Sequence, residues 1–214
     1  AVAQNAPLDL DKYQSFEGFV DTWWDEDTGR MLVRVEKFDT QFIYQTSLPR
    51  GVGSNDIGLD RGQLGTTKIV RFLRSGPKIL LVEDNLQYRA DSENDRERRA
   101  IDESFARSVI WGFVDIDDDD DSTIIDATAF FVRDAHGVGA RLAMMGEGSF
   151  NVDDSRSAIF LPRTKAFPDN TEIEAIVTLV GTPTGQHLPS VMPDRNALTV
   201  HVHHSFIRLP DDNY

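Results

Sequence analysis

The sequence predicts an α+β fold, predominantly antiparallel β-sheet with about two short helices. Three observations predict it. Apolar and polar residues alternate in run after run along the chain, as in strands with one buried face. Short turn signals such as Asp25-Glu26-Asp27-Thr28-Gly29 and Ser75-Gly76-Pro77 separate neighbouring runs. Only two stretches carry the four-residue spacing of an amphipathic helix.

Residues 1–15 have no clear period and read as a flexible lead-in, leaving 16–214 as a single domain. Gly18–Trp24 and Met31–Glu36 form the first hairpin, with Met31, Val33 and Val35 on one face. Phe42, Tyr44, Thr46 and Leu48 continue the alternation on a third strand. Pro49–Thr67 holds five glycines (51, 53, 58, 62 and 65) and little apolar periodicity. A connection of that length is usually functional or flexible. Strands resume at Lys68–Leu73, Lys78–Val82 and Leu86–Arg89. Asp91 or Ser92 can then cap a helix in which Ile101, Phe105 and Val109 recur, giving way to a strand near Ser108. Asp117–Asp121, five consecutive aspartates, lies between that strand and a second run, Ile124–Val132. A second helix is expected from about Asp134, with Val138, Leu142 and Met145 on one side and Gly146 as its stop. The last third reads as strands at Ser157–Leu161, at Glu172–Val180 with Ile173, Ala175, Val177 and Leu179 on one face, and at Leu198–Ile207 with Leu198, Val200, Val202 and Phe206 on one face.

Composition narrows the function classes. The chain is 40% hydrophobic and 27% charged, and its net charge of −14 argues against a nucleic-acid partner, which needs clustered cations. Arg96, Arg98 and Arg99 alternate with Asp95 and Glu97, as on a solvated helix face. No apolar run approaches the ~20 residues of a membrane span. The absence of cysteine excludes disulfides, thiolate metal sites and cysteine nucleophiles. Ala1-Val2-Ala3-Gln4 has the small-residue pattern left around a signal-peptidase cleavage site, so export is expected.

No catalytic set is recognisable: there is no Gly-x-Ser-x-Gly, no Gly-Lys-Ser/Thr and no His-Glu-x-x-His. The aspartate run lacks the spacing and glycine of a calcium loop and reads as a like-charged turn. His201 and His203, two apart on a strand, project to one face and are the only candidates for a metal. A zinc site needs a third ligand that the sequence does not place, and strand alternation explains both residues without one. His136, in the first turn of the second helix, is a further binding candidate, set against the reading of a partly buried, hydrogen-bonded histidine. Gly58-Leu59-Asp60-Arg61-Gly62-Gln63-Leu64-Gly65 stands apart. Asp60, Arg61 and Gln63 are either the polar groups of a binding loop or members of a structural turn.

That octapeptide also carries a resemblance. So do Asp102-Glu103-Ser104-Phe105-Ala106 with Trp111-Gly112-Phe113, and Asp126-Ala127-Thr128 with Arg133-Asp134-Ala135-His136-Gly137-Val138. Further along, Asp154-Ser155-Arg156-Ser157-Ala158, Leu161-Pro162-Arg163-Thr164-Lys165-Ala166-Phe167-Pro168, and His203-His204-Ser205-Phe206 with Leu209-Pro210-Asp211-Asp212 belong to it. Together they resemble the N-terminal domain, of unknown function, of bacterial zinc-dependent metallopeptidases with a metzincin-like catalytic domain.

The resemblance implies export to the periplasm, outer membrane or medium. It also implies that zinc and its His-Glu-x-x-His belong to a following domain, with no catalytic residue or cofactor in this segment. The expected role is an accessory domain that packs on its own C-terminal peptidase domain and shapes access of a peptide or protein substrate. The rival expectation is a stand-alone envelope module that binds peptide or glycan along a sheet edge.

Overall fold

The computed structural model describes residues 8–88, 94–118 and 122–210, the side chains of residues 98, 101 and 102 excepted. Strands β1 (Gln14–Phe16), β2 (Thr22–Asp25) and β3 (Arg30–Val35) lead into the long β4 (Phe42–Arg50). After the glycine-rich connection come β5 (Gln63–Leu64), β6 (Lys68–Ser75) and β7 (Lys78–Glu83). Helix α1 (Asp95–Ser104) precedes β8 (Ser108–Asp118) and β9 (Thr123–Asp126). Two short helices, α2 (Thr128–Phe131) and α3 (Val138–Met144), are followed by β10 (Gly148–Val152), β11 (Ala158–Ile159) and β12 (Lys165–Phe167). The chain finishes with β13 (Asn170–Pro183), α4 (Leu188–Val191) and β14 (Ala197–Arg208).

The strand ladder is antiparallel throughout and runs β1-β2-β3-β9-β8-β7-β6-β4-β14-β13-β10, with β11 and β12 also on β13 and β5 on β4. This is the predicted fold class, curled into a nearly closed barrel. The connection between β1 and β2 draws the two ends together. Phe19 N–H donates to the Phe167 carbonyl at 2.8 Å, and the Thr171 hydroxyl accepts from Val20 N–H and donates to Val20 O. Gly18 permits that approach, because a Cβ there would sit 2.6 Å from the Phe167 backbone.

Alternation builds the core as expected. Phe42, Tyr44, Thr46 and Leu48 of β4 are buried, as are Ile173, Ala175, Val177 and Leu179 of β13 and Val200, Val202 and Phe206 of β14. A second, smaller cluster lies apart from this core. Trp23, Leu32 and Ile124 form it, and Leu8, Leu10 and Tyr13 from the lead-in pack against it.

Five expectations change in the structure. The first strand of the first hairpin begins at Thr22 rather than Gly18, with residues 18–20 forming a bend before it. Ile124–Val132 is not one strand: β9 ends at Asp126, whose Oδ1 accepts from the Thr128 N–H and hydroxyl and turns the chain into α2. Leu86–Tyr88 forms a turn, with Gln87 N–H bonded to Asn85 Oδ1, while Arg89 lies outside the described residues. Ser157–Leu161 contributes only Ala158–Ile159 before a 3-10 turn over Leu161–Arg163. The second helix begins at Val138 rather than Asp134, because both Asp134 carboxylate oxygens accept from the Val138 and Gly139 N–H groups at 2.8 Å and so cap it from outside. Its stop at Gly146 stands, with φ +73°.

The proposed caps Asp91 and Ser92 and the aspartates 119–121 lie outside the described residues. Phe105 stacks on Tyr88 just past α1, and Val109 belongs to β8. The described side chains of Asp95, Arg96, Glu97 and Arg99 are exposed, as a solvated helix face requires. Among the described residues no helix is long and apolar enough to cross a membrane.

Candidate functional site

The connection between β4 and β5 is anchored by its own apolar residues. Val52, Ile57 and Leu59 belong to the main core, and Ile57 is fully buried. Val52 N–H donates to Leu59 O, and Gly62 N–H donates to Leu48 O at 2.7 Å. Arg141 of α3 reaches over to donate its Nε–H to Ile57 O at 2.8 Å. Gly51 is required for the inward fold, since a Cβ would lie 2.2 Å from the Leu59 carbonyl oxygen. Gly62, at φ +84°, turns the chain back onto β4.

This anchoring leaves a short exposed tip. Asp60, Arg61, Gly62, Gln63 and Leu64 all face solvent, and Leu64 is 69% exposed despite being apolar. Gln63 and Leu64 are held as a two-residue strand opposite Leu48 and Ser47. His136 lies beside the end of the same loop, in the turn before α3. A Cβ on Gly65 would come 3.4 Å from His136 Nδ1. That nitrogen is buried with no hydrogen-bond partner among the described residues, which differs from the bonded histidine expected. Burial pushes its pKa below 6.5, with Asp134 opposing.

Strand register carries the site across the sheet. Leu64 stands opposite Ser47, Ser47 opposite His203, and His203 opposite Glu174, so the four share one face. His201 and His203 also share this face, as their spacing predicted, but each is bound to a carboxylate. His201 Nδ1 lies 2.6 Å from Glu174 Oε1, and His203 Nε2 lies 2.6 Å from Glu172 Oε2. A carboxylate only accepts, so both of those nitrogens carry the proton and donate. Ser205 Oγ donates to Glu172 Oε2 as well.

Burial alone would raise the Glu172 carboxyl. The bonds from His203, Ser205 and Asn170 outweigh it and hold the group below the ordinary carboxylate range. The remaining Glu174 oxygen is buried, 3.7 Å from His203 Nδ1 and 4.0 Å from Arg163. Among the described residues no group of three or more His, Asp or Glu side chains is arranged to hold a metal.

Glu172, Glu174 and Ser205 were not among the site candidates read from sequence, although Ser205 lies in the His203-His204-Ser205-Phe206 stretch. A signal for them exists: Glu172-x-Glu174 has the same two-residue period as His201-x-His203, on the adjacent strand of the barrel. A second network on the inner face was also missed. His204 Nε2 lies 2.9 Å from the Phe131 carbonyl and must donate to it, which leaves Nδ1 to accept from the Tyr44 hydroxyl at 2.9 Å. Arg133 Nη2 donates in turn to the Tyr44 oxygen, and its guanidinium lies over the Phe130 ring. Burial pushes the Tyr44 hydroxyl up to about 12 and the His204 imidazole down to about 3.

No curated protein and no solved structure matches the chain. Residues 62–214 match a family described as a domain of unknown function, DUF5117. The matched span includes Gln63, His136, His201 and His203 and begins two residues after Asp60. The chain belongs to the DUF5117 family of domains of unknown function.

Proposed function

We propose that this domain is a non-catalytic accessory module of an exported bacterial zinc-dependent metallopeptidase. In this reading it packs on the catalytic domain and shapes access of peptide or protein substrates. The observation that carries the reading is the anchored loop with its exposed tip. A loop pinned by Ile57, Leu59 and Arg141 presents Asp60, Arg61, Gln63 and the apolar Leu64 outward without ordering cost at the moment of contact. The sequence resemblance supports the choice of partner. Zinc, activated water and the general base would be supplied by the catalytic domain. This segment supplies shape and contacts.

The test uses the full peptidase. Leu64→Asp, and separately Asp60→Ala with Arg61→Ala, are expected to lower kcat/KM by about 5–10-fold. The melting temperature of the domain should stay unchanged, because all three side chains are exposed. Unaltered kinetics in both variants would remove the loop from the reading.

A second reading has an observation of its own. Strand β5 pairs only with β4 among the described strands, so an extended peptide could add along its other edge. A stand-alone peptide- or glycan-binding module of the cell envelope predicts that such a ligand raises the melting temperature of the isolated chain. No shift with any peptide or glycan tested would leave the accessory reading alone.

A further inference from the structure

One end of the barrel holds a cavity of about 800 Å³, within the size range of sites that bury small organic molecules. It is distinct from the loop and sheet face described above. Phe19, Val20 and Leu209 give its lining half-buried apolar surface, while Val35, Phe42 and Phe72 form the floor behind them and are only 2–4% exposed. The Phe42 ring lies 6.0 Å from Phe19 and 5.4 Å from Phe72, so the aromatic lining is continuous. Both walls are held by main-chain bonds. On one side Phe19 and Val20 are tied to Phe167 and Thr171. On the other, Asp39 donates its N–H to Phe72 O at 2.9 Å while sitting at φ +57°, a left-handed turn conformation that aspartate tolerates. The site is therefore preformed and does not need a ligand to open it.

Charges around the lining are mostly committed to one another. Arg34 lies 3.5 Å from Asp21 and 3.7 Å from Glu36, and Arg208 is paired with Asp169 at 2.9 Å. Lys37 is the exception: among the described residues it forms no ion pair. The one uncommitted charge of the lining is thus positive and exposed, beside the half-buried apolar surface of Phe19, Val20 and Leu209.

The geometry points to a binding site for a small amphiphilic acid, its aromatic or branched aliphatic body against Phe19, Val20 and Leu209 and its anionic head at Lys37. The body contributes affinity through apolar burial. The head contributes orientation, because Lys37 offers three donors and a full charge.

The probe is anilinonaphthalene sulfonate, which joins an aromatic body to one anionic group. Titration followed by fluorescence and calorimetry should give saturable binding at one site per chain. Thr40→Trp, an exposed lining position, should obstruct the cavity and weaken binding by about ten-fold or more. Lys37→Glu should weaken it by about three- to ten-fold by reversing the charge at the head group. Both side chains are exposed, so far-ultraviolet circular dichroism and the melting temperature should match the unsubstituted protein. Absence of saturable binding overturns the site, and so does wild-type affinity in Thr40→Trp. Wild-type affinity in Lys37→Glu overturns the assignment to an acid.

Discussion

Lowering the pH from 6.5 to about 3 is expected to remove on the order of 5 kcal/mol of stability through His204 alone. In the unfolded chain this imidazole takes up a proton near pH 6.5. In the folded protein burial and the Arg133 charge hold it neutral down to about pH 3. The folded pKa is depressed, so the stabilising contribution is complete above pH 6.5 and is lost as pH falls to about 3. Urea unfolding of wild type and His204→Gln between pH 7 and pH 5 isolates the term, because ordinary carboxylates begin to titrate only below that window. The glutamine amide can donate to Phe131 O and its oxygen can accept from Tyr44, so the variant keeps a partner for each neighbour without titrating. The wild type should lose about 2 kcal/mol more than the variant over those two pH units. Equal slopes in the two proteins would show that His204 takes up its proton in the folded state. At the alkaline end the sign reverses. Tyr44 ionises near pH 10 when unfolded and at about pH 12 when folded, so stability falls as pH rises through that interval.

Phe130→Ala is expected to cost about 3–5 kcal/mol, enough to leave the domain marginal. Phe130 is fully buried. Its ring lies 5.2 Å from Phe131, 5.5 Å from both Tyr44 and Phe113, and 5.8 Å from His204, with the Arg133 guanidinium 4.7 Å above it. Removing it opens a cavity among rings carried by β4, β8, β14 and α2, and it strips the Arg133 charge of an aromatic surface. Phe130→Leu should cost only about 1–2 kcal/mol, since most of the volume remains. Equilibrium denaturation of the two variants checks the ordering. A loss below about 1 kcal/mol in Phe130→Ala would mean that the surrounding rings collapse into the space.

How much was legible in the sequence depended on whether the signal was periodic. The runs in β4, β13 and β14 alternate over eight or more residues, and each was identified with its buried face. Where a side chain competes with the backbone ladder, periodicity misled. Asp126 bonds the Thr128 N–H and ends β9 inside an apolar run, and the Asn85 side-chain oxygen Oδ1 accepts from Gln87 N–H and converts an expected strand into a turn. In the glycine-rich connection the spacing of Val52, Ile57 and Leu59 matches neither a helix nor a strand. Their burial comes from one-off contacts that no period encodes.

The candidate site divides along the same line. That His201 and His203 share a face follows from a two-residue period and needed only the sequence. That each is held by a carboxylate depends on the register between β13 and β14, which sets Glu174 opposite His203; a shift of one residue would have turned the acidic pair into the core. The tip residues Asp60, Arg61 and Gln63 were visible as polar groups among glycines. Their exposure, their rigid mounting and the approach of His136 to Gly65 came from the packing of α3 against the loop. The cavity beside Lys37 joins residues from Gly18 to Pro210 and has no trace in any local stretch. By itself the sequence determined the fold class, the turns and the faces of the long strands, because those follow from local alternation and backbone preference. Only the tertiary structure decided the closure of the barrel, the partners of each buried polar group and the cavity, because these depend on distances between residues far apart in the chain.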